Sequence, residues 1–453
     1  MTEFRAYAKE YQDAEQMASD YLVLYFGNNK IEYPINPFEM LRSEGVLFDI
    51  ANFKKLEGVY IPPASSSDIP IVGINYNRPI TRQRFTAAHE LCHHFRDSNK
   101  QVTCPIGSRD AIEIFADRFA AAVLMPINEL RAQVIKRKNK RGNISFDDVL
   151  EISDFFGVSF ESCLYRIAYR IHAIEGDTEH SELKKRVNRF CPDKKRKACH
   201  MSYSELYAGL IDNLQEQMSF YPSDHAKYVF QNEYIYNDSR MEGLNVTIEQ
   251  ASEIVTDLRL NAQHSDYCKE ENEAYLSIAG HYAMYQDIFS NPLMEKVNIY
   301  ETIRLNKKLF SYYPNPDFGG QTRNNNTLVL GAKFETIDYM DIYPELAKVD
   351  SEIKQTIADF KDESLSEYIK SVARIHHRIT VIHPFSEGNG RTSRAFMNVQ
   401  LISAGLPPIY IRAEDKKEYV EALSSADKTG DYDDLYEIIF RMVLKSHVEL
   451  KEL

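Results

Sequence analysis

The segment HPFSEGNGRTSR (383–394) contains the side chains needed to move a phosphate-linked group. Its glycines stand directly before a helical sequence, where backbone N–H groups and the helix N-terminus together bind phosphates. His383 suits a general base near neutral pH, and Glu387 offers an oxygen to Mg²⁺. Arg391 and Arg394, three residues apart on the first helical turn, can reach phosphate oxygens. The predicted phosphate-binding residues are Gly388, Asn389, Gly390, Arg391 and Arg394.

A second set of chemically active residues lies in the sequence HELCH, which begins at His89. His89 and His93 are four residues apart, so on a helix both can bind one Zn²⁺, and Glu90 can act as a base on water. A catalytic zinc needs a third protein ligand, and Glu113 follows 20 residues after His93 (113 − 93). Asp117, one turn further on, can orient a ligand histidine through its second ring nitrogen. The pattern predicts a zinc hydrolase site.

Regular elements must hold the predicted zinc ligands in place. The HELCH residues lie in a predicted helix over 81–98, and the third ligand lies in another over 110–125. The sequence VGINYN (72–77) alternates like a short strand, and two more helices over 143–171 are interrupted at Gly157. We therefore expect helices and a small amount of strand in this half of the chain.

The sequence changes character beyond this half. Residues 175–204 are strongly charged with weak apolar periodicity, so we expect a charged linker between domains at 1–174 and 205–453. From about residue 205 the pattern predicts one helix after another. The exception is TRNNNTLVLGAKF (322–334), where polar turn residues precede a short apolar run and predict an ordinary hairpin or a functional flap. The predicted flap residues are Thr327, Leu328, Val329 and Leu330.

Composition limits the classes of protein that this chain can represent. The 453 residues carry a net charge of −13, which argues against dedicated nucleic-acid binding. The six cysteines are scattered, as in a protein with reduced thiols. A charged N-terminal sequence without an apolar signal core, and the absence of a long apolar run, predict a cytoplasmic protein without membrane contact.

The first motif is similar to the Fic family signature HxFx(D/E)GNGRxxR at every specified position, and SEYIKSVARIHHRITVIHPF resembles the helix that leads into it. The similarity covers about residues 205–453 and implies an all-α domain with a small β-hairpin flap. It implies transfer of AMP from ATP, with Mg²⁺, to a Ser, Thr or Tyr hydroxyl of a target protein. By this resemblance His383 takes the proton, Glu387 holds Mg²⁺ and Arg394 contacts the γ-phosphate.

Many Fic proteins also carry an inhibitory helix with the pattern (S/T)xxxE(G/N). Here NDSRMEGL (237–244) places Glu242 before a glycine, although Asp238 stands where Ser or Thr is expected. The carboxylate of Glu242 can pair with Arg394 whatever stands at position 238, which predicts a site that is switched off by default. The alternative is an exposed glutamate at a helix C-terminus.

The second motif resembles the ImmA/IrrE family of zinc peptidases, through RQRFTAAHELCHHF (82–95) and EIFADRFAAAVLMP (113–126). The similarity covers about residues 5–172 and implies an α+β, gluzincin-like metallopeptidase domain, so the whole chain is expected to be mainly α. It implies zinc ligands His89, His93 and Glu113, with Glu90 as base. Such peptidases cut a repressor or antitoxin, which implies a toxin-like or stress-response role.

Three functions are compatible with these motifs. The first is an AMP transferase whose fused peptidase regulates it, by clipping an inhibitory partner or the chain itself. The second is mainly a peptidase, with the Fic half as a nucleotide-responsive regulator. The third is an interaction protein with spent catalytic sites, which the complete residue sets at 89–117 and 383–394 disfavour.

Overall fold

The computed structural model of the chain divides into two compact units, Met1–Leu214 and Gln215–Leu453. It describes residues 2–451 apart from a small set of positions. These are 66, 98–100, 106, 108–109, 177, 221–222, 261–272, 290–292, 315, 328–335 and 362–363. Among the described helices, none combines the length and apolar character that crossing a bilayer requires.

The first unit combines helices with a small mixed sheet, as predicted. Its strands are β1 (Leu47–Ala51), β2 (Leu56–Ile61), β3 (Ile71–Asn75) and β4 (Val102–Pro105). Its helices are α1 (Thr2–Tyr7), α2 (Ala14–Phe26), α3 (Pro37–Ser43), α4 (Ile80–Arg96), α5 (Ala111–Leu124), α6 (Ile127–Arg137), α7 (Phe146–Phe156), α8 (Phe160–Arg166), α9 (His180–Phe190), α10 (Pro192–Ala198) and α11 (Ser204–Leu214).

The sheet has the strand order β1-β3-β2-β4, with β1 parallel to β3 and the other two pairs antiparallel. Helix α4 packs on β2 and β3, and α5 packs along α4. Gly58 on β2 makes the close approach of α4 possible, because a Cβ atom there would lie 2.3 Å from Glu90 Oε1. The interrupted helix pair predicted over 143–171 is α7 and α8, separated by Gly157 in the left-handed conformation that favours glycine.

The segment 175–204 differs from the expected charged linker. It folds into α9 and α10 within the first unit, and Leu183 and Val187 of α9 are buried in the core of that unit. These two residues are four apart, so a narrow apolar stripe is enough to attach an otherwise charged helix. The first unit extends to Leu214 and includes α11, whereas the predicted boundary stood at 205.

The second unit is helical throughout its described elements, which confirms the predicted all-α class. Its α-helices are α12 (Asp224–Met241), α13 (Ile248–Leu260), α14 (Glu273–Ile288), α15 (Glu301–Leu309), α16 (Ile342–Asp359), α17 (Leu365–Ile382), α18 (Asn389–Ser403), α19 (Lys416–Thr429) and α20 (Asp433–Lys451). Helices α17 and α18 pack against each other, and α14 and α15 pack on α18. The loop between α17 and α18 carries the first motif, so buried helices hold both of its ends.

Candidate functional sites

The three predicted zinc ligands converge in the first unit. His89 and His93 lie one turn apart on α4, with their Nε2 atoms 3.0 Å apart. Glu113 on α5 places one carboxylate oxygen 3.3 Å from His89 Nε2 and the other 3.5 Å from His93 Nε2. All three side chains are buried. Two nitrogens and a carboxylate within this distance are a donor set that Zn²⁺ prefers.

The second ring nitrogen of each histidine faces a carboxylate. His89 Nδ1 lies 2.9 Å from Asp117 Oδ1, the partner predicted from the sequence. His93 Nδ1 lies 2.9 Å from Asp97 Oδ2, an acceptor that the sequence analysis did not predict although it stands at i+4, directly after the end of α4. Such contacts fix the tautomer and the ring orientation of ligand histidines, so both Nε2 atoms point at the cluster centre.

The charges around these residues stabilise one another. Burial alone would lower the pKa of His89, but the carboxylates of Asp117, Glu113 and Glu90 raise it to about 9. Burial likewise opposes the ionised form of Glu113, but hydrogen bonds from His89 and His93 hold its pKa well below the usual range. Burial raises the pKa of Glu90, and both of its oxygens are buried without a hydrogen-bond partner among the described residues.

A fourth donor, Cys104 on β4, completes the cluster. Its Sγ atom lies 3.4 Å from His89 Nε2, and the four donor atoms of His89, His93, Cys104 and Glu113 all lie within 4.8 Å of one another. Burial and the carboxylates of Glu90 and Glu113 raise the pKa of the Cys104 thiol. The sequence did not predict Cys104 as a ligand, because no part of the motif includes it. Its approach to the histidines depends on the pairing of β4 with β2.

In the second unit, the loop of the first motif has a fixed shape. His383 ends α17 and Gly388 precedes α18, and both adopt the left-handed conformation, with φ of 50° and 79°. A Cβ atom on Gly388 would lie 2.9 Å from Leu309 and Phe310, so glycine is required there for space as well as for φ. The side chain of Asn389 bonds both the N–H and the carbonyl of Phe385, so it shapes the loop.

Glu387 and Arg391 lie together at this loop. The side chain of Glu387 is 62% exposed, and its Oε1 accepts a bond of 3.1 Å from Arg391 Nη2. Arg391 is otherwise buried, with its guanidinium over the ring of Phe310 and Nη1 at 3.5 Å from Ser277 Oγ. Glu387 is therefore the accessible acid at the start of α18, as a ligand for Mg²⁺ must be.

Arg394 is held by two carboxylates from α12 and its C-terminal end. Its Nε donates to Asp238 Oδ1 at 2.5 Å and its Nη2 donates to Glu242 Oε1 at 2.7 Å. Asp238 is almost fully buried, whereas the side chain of Glu242 is 32% exposed. A Cβ atom at Gly390 would lie 2.9 Å from Arg394 Nη1 and 3.5 Å from Glu242 Oε1. The Glu242 carboxylate thus lies beside the first turn of α18, where an anion would bind.

Besides Arg394, the Asp238 carboxylate has a second partner, the imidazole of His281. His281 Nε2 lies 2.9 Å from Asp238 Oδ2, and His281 Nδ1 lies 2.8 Å from the carbonyl of Ser277. Burial alone would raise the pKa of Asp238, but Arg394 and His281 together lower it to about 2. The pattern (S/T)xxxE(G/N) gave no indication of this buried ion pair, because it places a neutral hydroxyl at this position.

The backbone of His383 is anchored by Arg323, a residue that the sequence did not indicate. Arg323 Nε donates to the His383 carbonyl and its N–H donates to the Pro384 carbonyl, both at 2.8 Å. Burial first, and then the charge of Arg323, lowers the pKa of His383. Asn306 fixes the other end of the loop, with bonds to the Glu387 carbonyl and to Gly320 N.

The predicted flap lies only partly within the described residues. Leu328, Val329 and Leu330 lie outside them, and Thr327 stands at the edge. The chain on either side is tied together, because Thr336 Oγ1 donates to the Thr327 carbonyl at 2.5 Å. Arg323, four residues before Thr327, bonds the His383 carbonyl, so the chain that leads into the predicted flap lies beside His383.

The first unit thus contains a buried cluster of side chains that could hold a metal ion, and the second contains a glycine-rich loop between two helices. Family models match the regions that carry the two motifs. Residues 49–168 match the IrrE N-terminal-like domain, and residues 296–401 match the Fic/DOC family. The chain therefore contains an IrrE N-terminal-like domain and a Fic domain, as the two motifs predicted.

Similar proteins were found on the Fic side. The protein adenylyltransferase Fic of Nematostella vectensis is 43% identical over 67 residues, covering 15% of this chain and 16% of the relative. That of Drosophila willistoni is 27% identical over 209 residues, covering 44% and 37%. The chain thus spans less than half the length of these curated relatives. The solved structure of Fic-1 from C. elegans covers 74% of this chain and 92% of its own, at 16% identity and a TM-score of 0.45.

Proposed function

We propose that the second unit transfers AMP from ATP to a Ser, Thr or Tyr hydroxyl of a protein. The observation that supports it most directly is the loop from His383 to Gly388, which sets a histidine and an accessible acid against the N-terminus of α18. We choose AMP as the transferred group because the similar proteins are named protein adenylyltransferases.

Each part of the loop has a role in this reaction. The first N–H groups of α18 lack intrahelical acceptors and would bind the α- and β-phosphates. Glu387 would hold the Mg²⁺ that accompanies ATP, and Arg394 would contact the γ-phosphate. His383 would accept the proton of the target hydroxyl as its oxygen attacks the α-phosphorus, and pyrophosphate would leave. The lowered pKa of His383 keeps the imidazole neutral, as a base must be.

The two carboxylates that bond Arg394 differ in whether a phosphate could displace them. Asp238 bonds Nε from a buried position on α12, where an incoming phosphate has no access. Glu242 bonds Nη2 from the more exposed end of that helix, so a γ-phosphate would compete with it for the same guanidinium. We infer that Asp238 orients Arg394 both with and without ATP. Glu242 inhibits the transferase until a γ-phosphate displaces it from Arg394.

The test uses the full chain carrying Glu242→Gly, incubated with ATP labelled in its α-phosphate and a cell extract as the source of targets. Label on protein, and a mass gain equal to AMP, are expected. Label that persists after His383→Ala, or a mass gain of a different group, would overturn the proposal.

We further propose that the first unit is a zinc peptidase that cuts a protein partner, such as a repressor or antitoxin. The observation that favours it is the convergence of His89, His93 and Glu113 with Glu90 buried beside them. Zinc bound there would polarise a peptide carbonyl and activate a water molecule. Glu90 would accept the proton of that water, and Asp117 and Asp97 would hold the ligand histidines.

Purified chain should bind about one zinc per molecule, and His93→Ala should lose it because a ligand is gone. Glu90→Ala should keep the metal and lose cleavage of a co-expressed partner. A chain that binds no zinc would end the peptidase proposal. If the peptidase also releases the Fic site by clipping the chain or its partner, AMP transfer in cells should fall with Glu90→Ala. Equal AMP transfer by the wild type and by Glu90→Ala would show that the peptidase does not control the Fic site.

A further inference from the structure

The position of Cys104 gives the zinc site a fourth protein donor that a peptidase does not need. A catalytic zinc keeps one coordination position open for water, whereas a structural zinc is closed by four protein ligands. His89, His93 and Glu113 already supply the three ligands of an open site. A fourth donor therefore changes what the site can do, and its distances decide whether it can coordinate.

The distances match a tetrahedral shell. Bonds of about 2.0–2.1 Å to nitrogen or oxygen and about 2.3 Å to sulfur, at tetrahedral angles, give edges of about 3.3 Å between the light atoms and about 3.6 Å from sulfur to nitrogen. The observed distances are 3.0 Å between the Nε2 atoms of His89 and His93 and 3.4 Å from Cys104 Sγ to His89 Nε2. The two oxygens of Glu113 lie 3.3 Å (Oε2) from His89 Nε2 and 3.5 Å (Oε1) from His93 Nε2. All four donor atoms lie within 4.8 Å of one another, so the Cys104 sulfur can reach an ion that the other three side chains hold.

The surroundings of Cys104 support the same role. β4 is paired with β2, where Cys104 stands opposite Gly58, and α4 covers Gly58 with Glu90. The thiol is buried, and a bound Zn²⁺ displaces the proton of a thiol that coordinates it. The anions of Cys104 and Glu113 would then balance the two charges of the ion, which favours zinc in a buried site.

We propose that Cys104 is the fourth ligand of the zinc, and that its thiolate occupies the position that the peptidase needs for water. This inference rests on the proposed zinc peptidase and adds its regulation. Cleavage requires the zinc–sulfur bond to break, a water to take its place, and the thiolate to gain a proton from solvent. The resting peptidase is accordingly latent, and a movement of β4 away from α4 would activate it.

The test is X-ray absorption at the zinc edge on the full chain loaded with one zinc. We expect one sulfur at about 2.3 Å and three light atoms at about 2.0–2.1 Å. Cys104→Ser should keep the zinc and lose the sulfur. The matched control is Cys92→Ser. Cys92 is also a buried free thiol, but it lies on α4 outside the donor cluster, so the zinc of this variant should keep its sulfur ligand.

A second readout uses Co²⁺ in place of zinc. The thiolate-to-cobalt absorption band should be present in the wild type and in Cys92→Ser, and absent in Cys104→Ser. The chelator EDTA should remove zinc at least about 10-fold faster from Cys104→Ser, since one ligand is gone. Zinc bound by four light atoms in the wild type would overturn the role of Cys104 and leave the peptidase proposal standing. A wild type that binds no zinc would overturn both.

Discussion

The two proposed sites of this protein differ in the side chain that stands where a reactant must bind, which is water at one site and the γ-phosphate of ATP at the other. At the zinc cluster the extra group is Cys104, a buried side chain on a paired strand. At the Fic loop it is Glu242, a partly exposed side chain at the C-terminal end of α12. The Cys104 side chain is buried and has little room to rotate, whereas the partly exposed side chain of Glu242 can rotate into solvent. The comparison indicates that ATP itself can compete at one site, and that a structural change is required at the other.

The largest effect should come from removing the proposed base of the Fic site. His383→Ala in a Glu242→Gly background should reduce AMP transfer about 10²–10⁴-fold, because the proposed acceptor of the hydroxyl proton is gone. Transfer of labelled AMP to protein measures the rate. The control is His225→Ala, an exposed histidine at the opposite end of α12 from Glu242. Unchanged transfer in the His383 variant would contradict the assignment.

The two carboxylates on Arg394 should differ in their contribution to stability. Asp238→Asn breaks a buried ion pair and should lower the free energy of unfolding by about 3–5 kcal/mol. Glu242→Gln removes a partly exposed pair and should cost less than about 1 kcal/mol. Urea unfolding of the two variants makes the comparison. Equal losses would show that both carboxylates are structural and that Glu242 is not a displaceable competitor.

The release of inhibition should be smaller than the loss of the base. Glu242→Gly should raise transfer by about 5–150-fold, the usual range of such a coupling, with a lower KM for ATP because Arg394 is free to bind it. Glycine is tolerated at a helix C-terminus, so the fold should be retained. Glu233→Gln on the same helix is the matched control and should not activate. A Glu242 variant with the wild-type rate and KM would remove the inhibitory role.

The smallest effect should be a displaced pH profile. The lowered pKa of His383 means that the neutral, active form persists below the ordinary histidine pKa of about 6.5. Transfer by the Glu242→Gly protein should therefore decline only at pH values below about 6.5, as His383 gains a proton. Arg323→Lys removes the bond from the guanidinium Nε to the His383 carbonyl and should reduce the rate. An acid limb above pH 6.5 in the parent would contradict the lowered pKa.

Local sequence was sufficient for much of both sites. His89 and His93 share a helix face because of the helical period, and the loop from His383 to Arg394 follows from glycines placed before a helix. The fold class was predicted from the sequence pattern and both families from the resemblance of the two motifs, and these predictions are confirmed. Charge composition was a weaker guide, because the segment 175–204 folds into helices and buries Leu183 and Val187 in the core of the first unit.

Only the tertiary structure decided which distant residues join these motifs. Cys104 reaches the zinc ligands because β4 pairs with β2 in one register, and Asp238 reaches Arg394 because α12 packs near the start of α18. Arg323 reaches His383 in the same way, across 60 residues (383 − 323). Such contacts depend on how whole elements pack, which no local period encodes. The sequence therefore determined the chemistry available at each site, and the packing decided which groups restrain it.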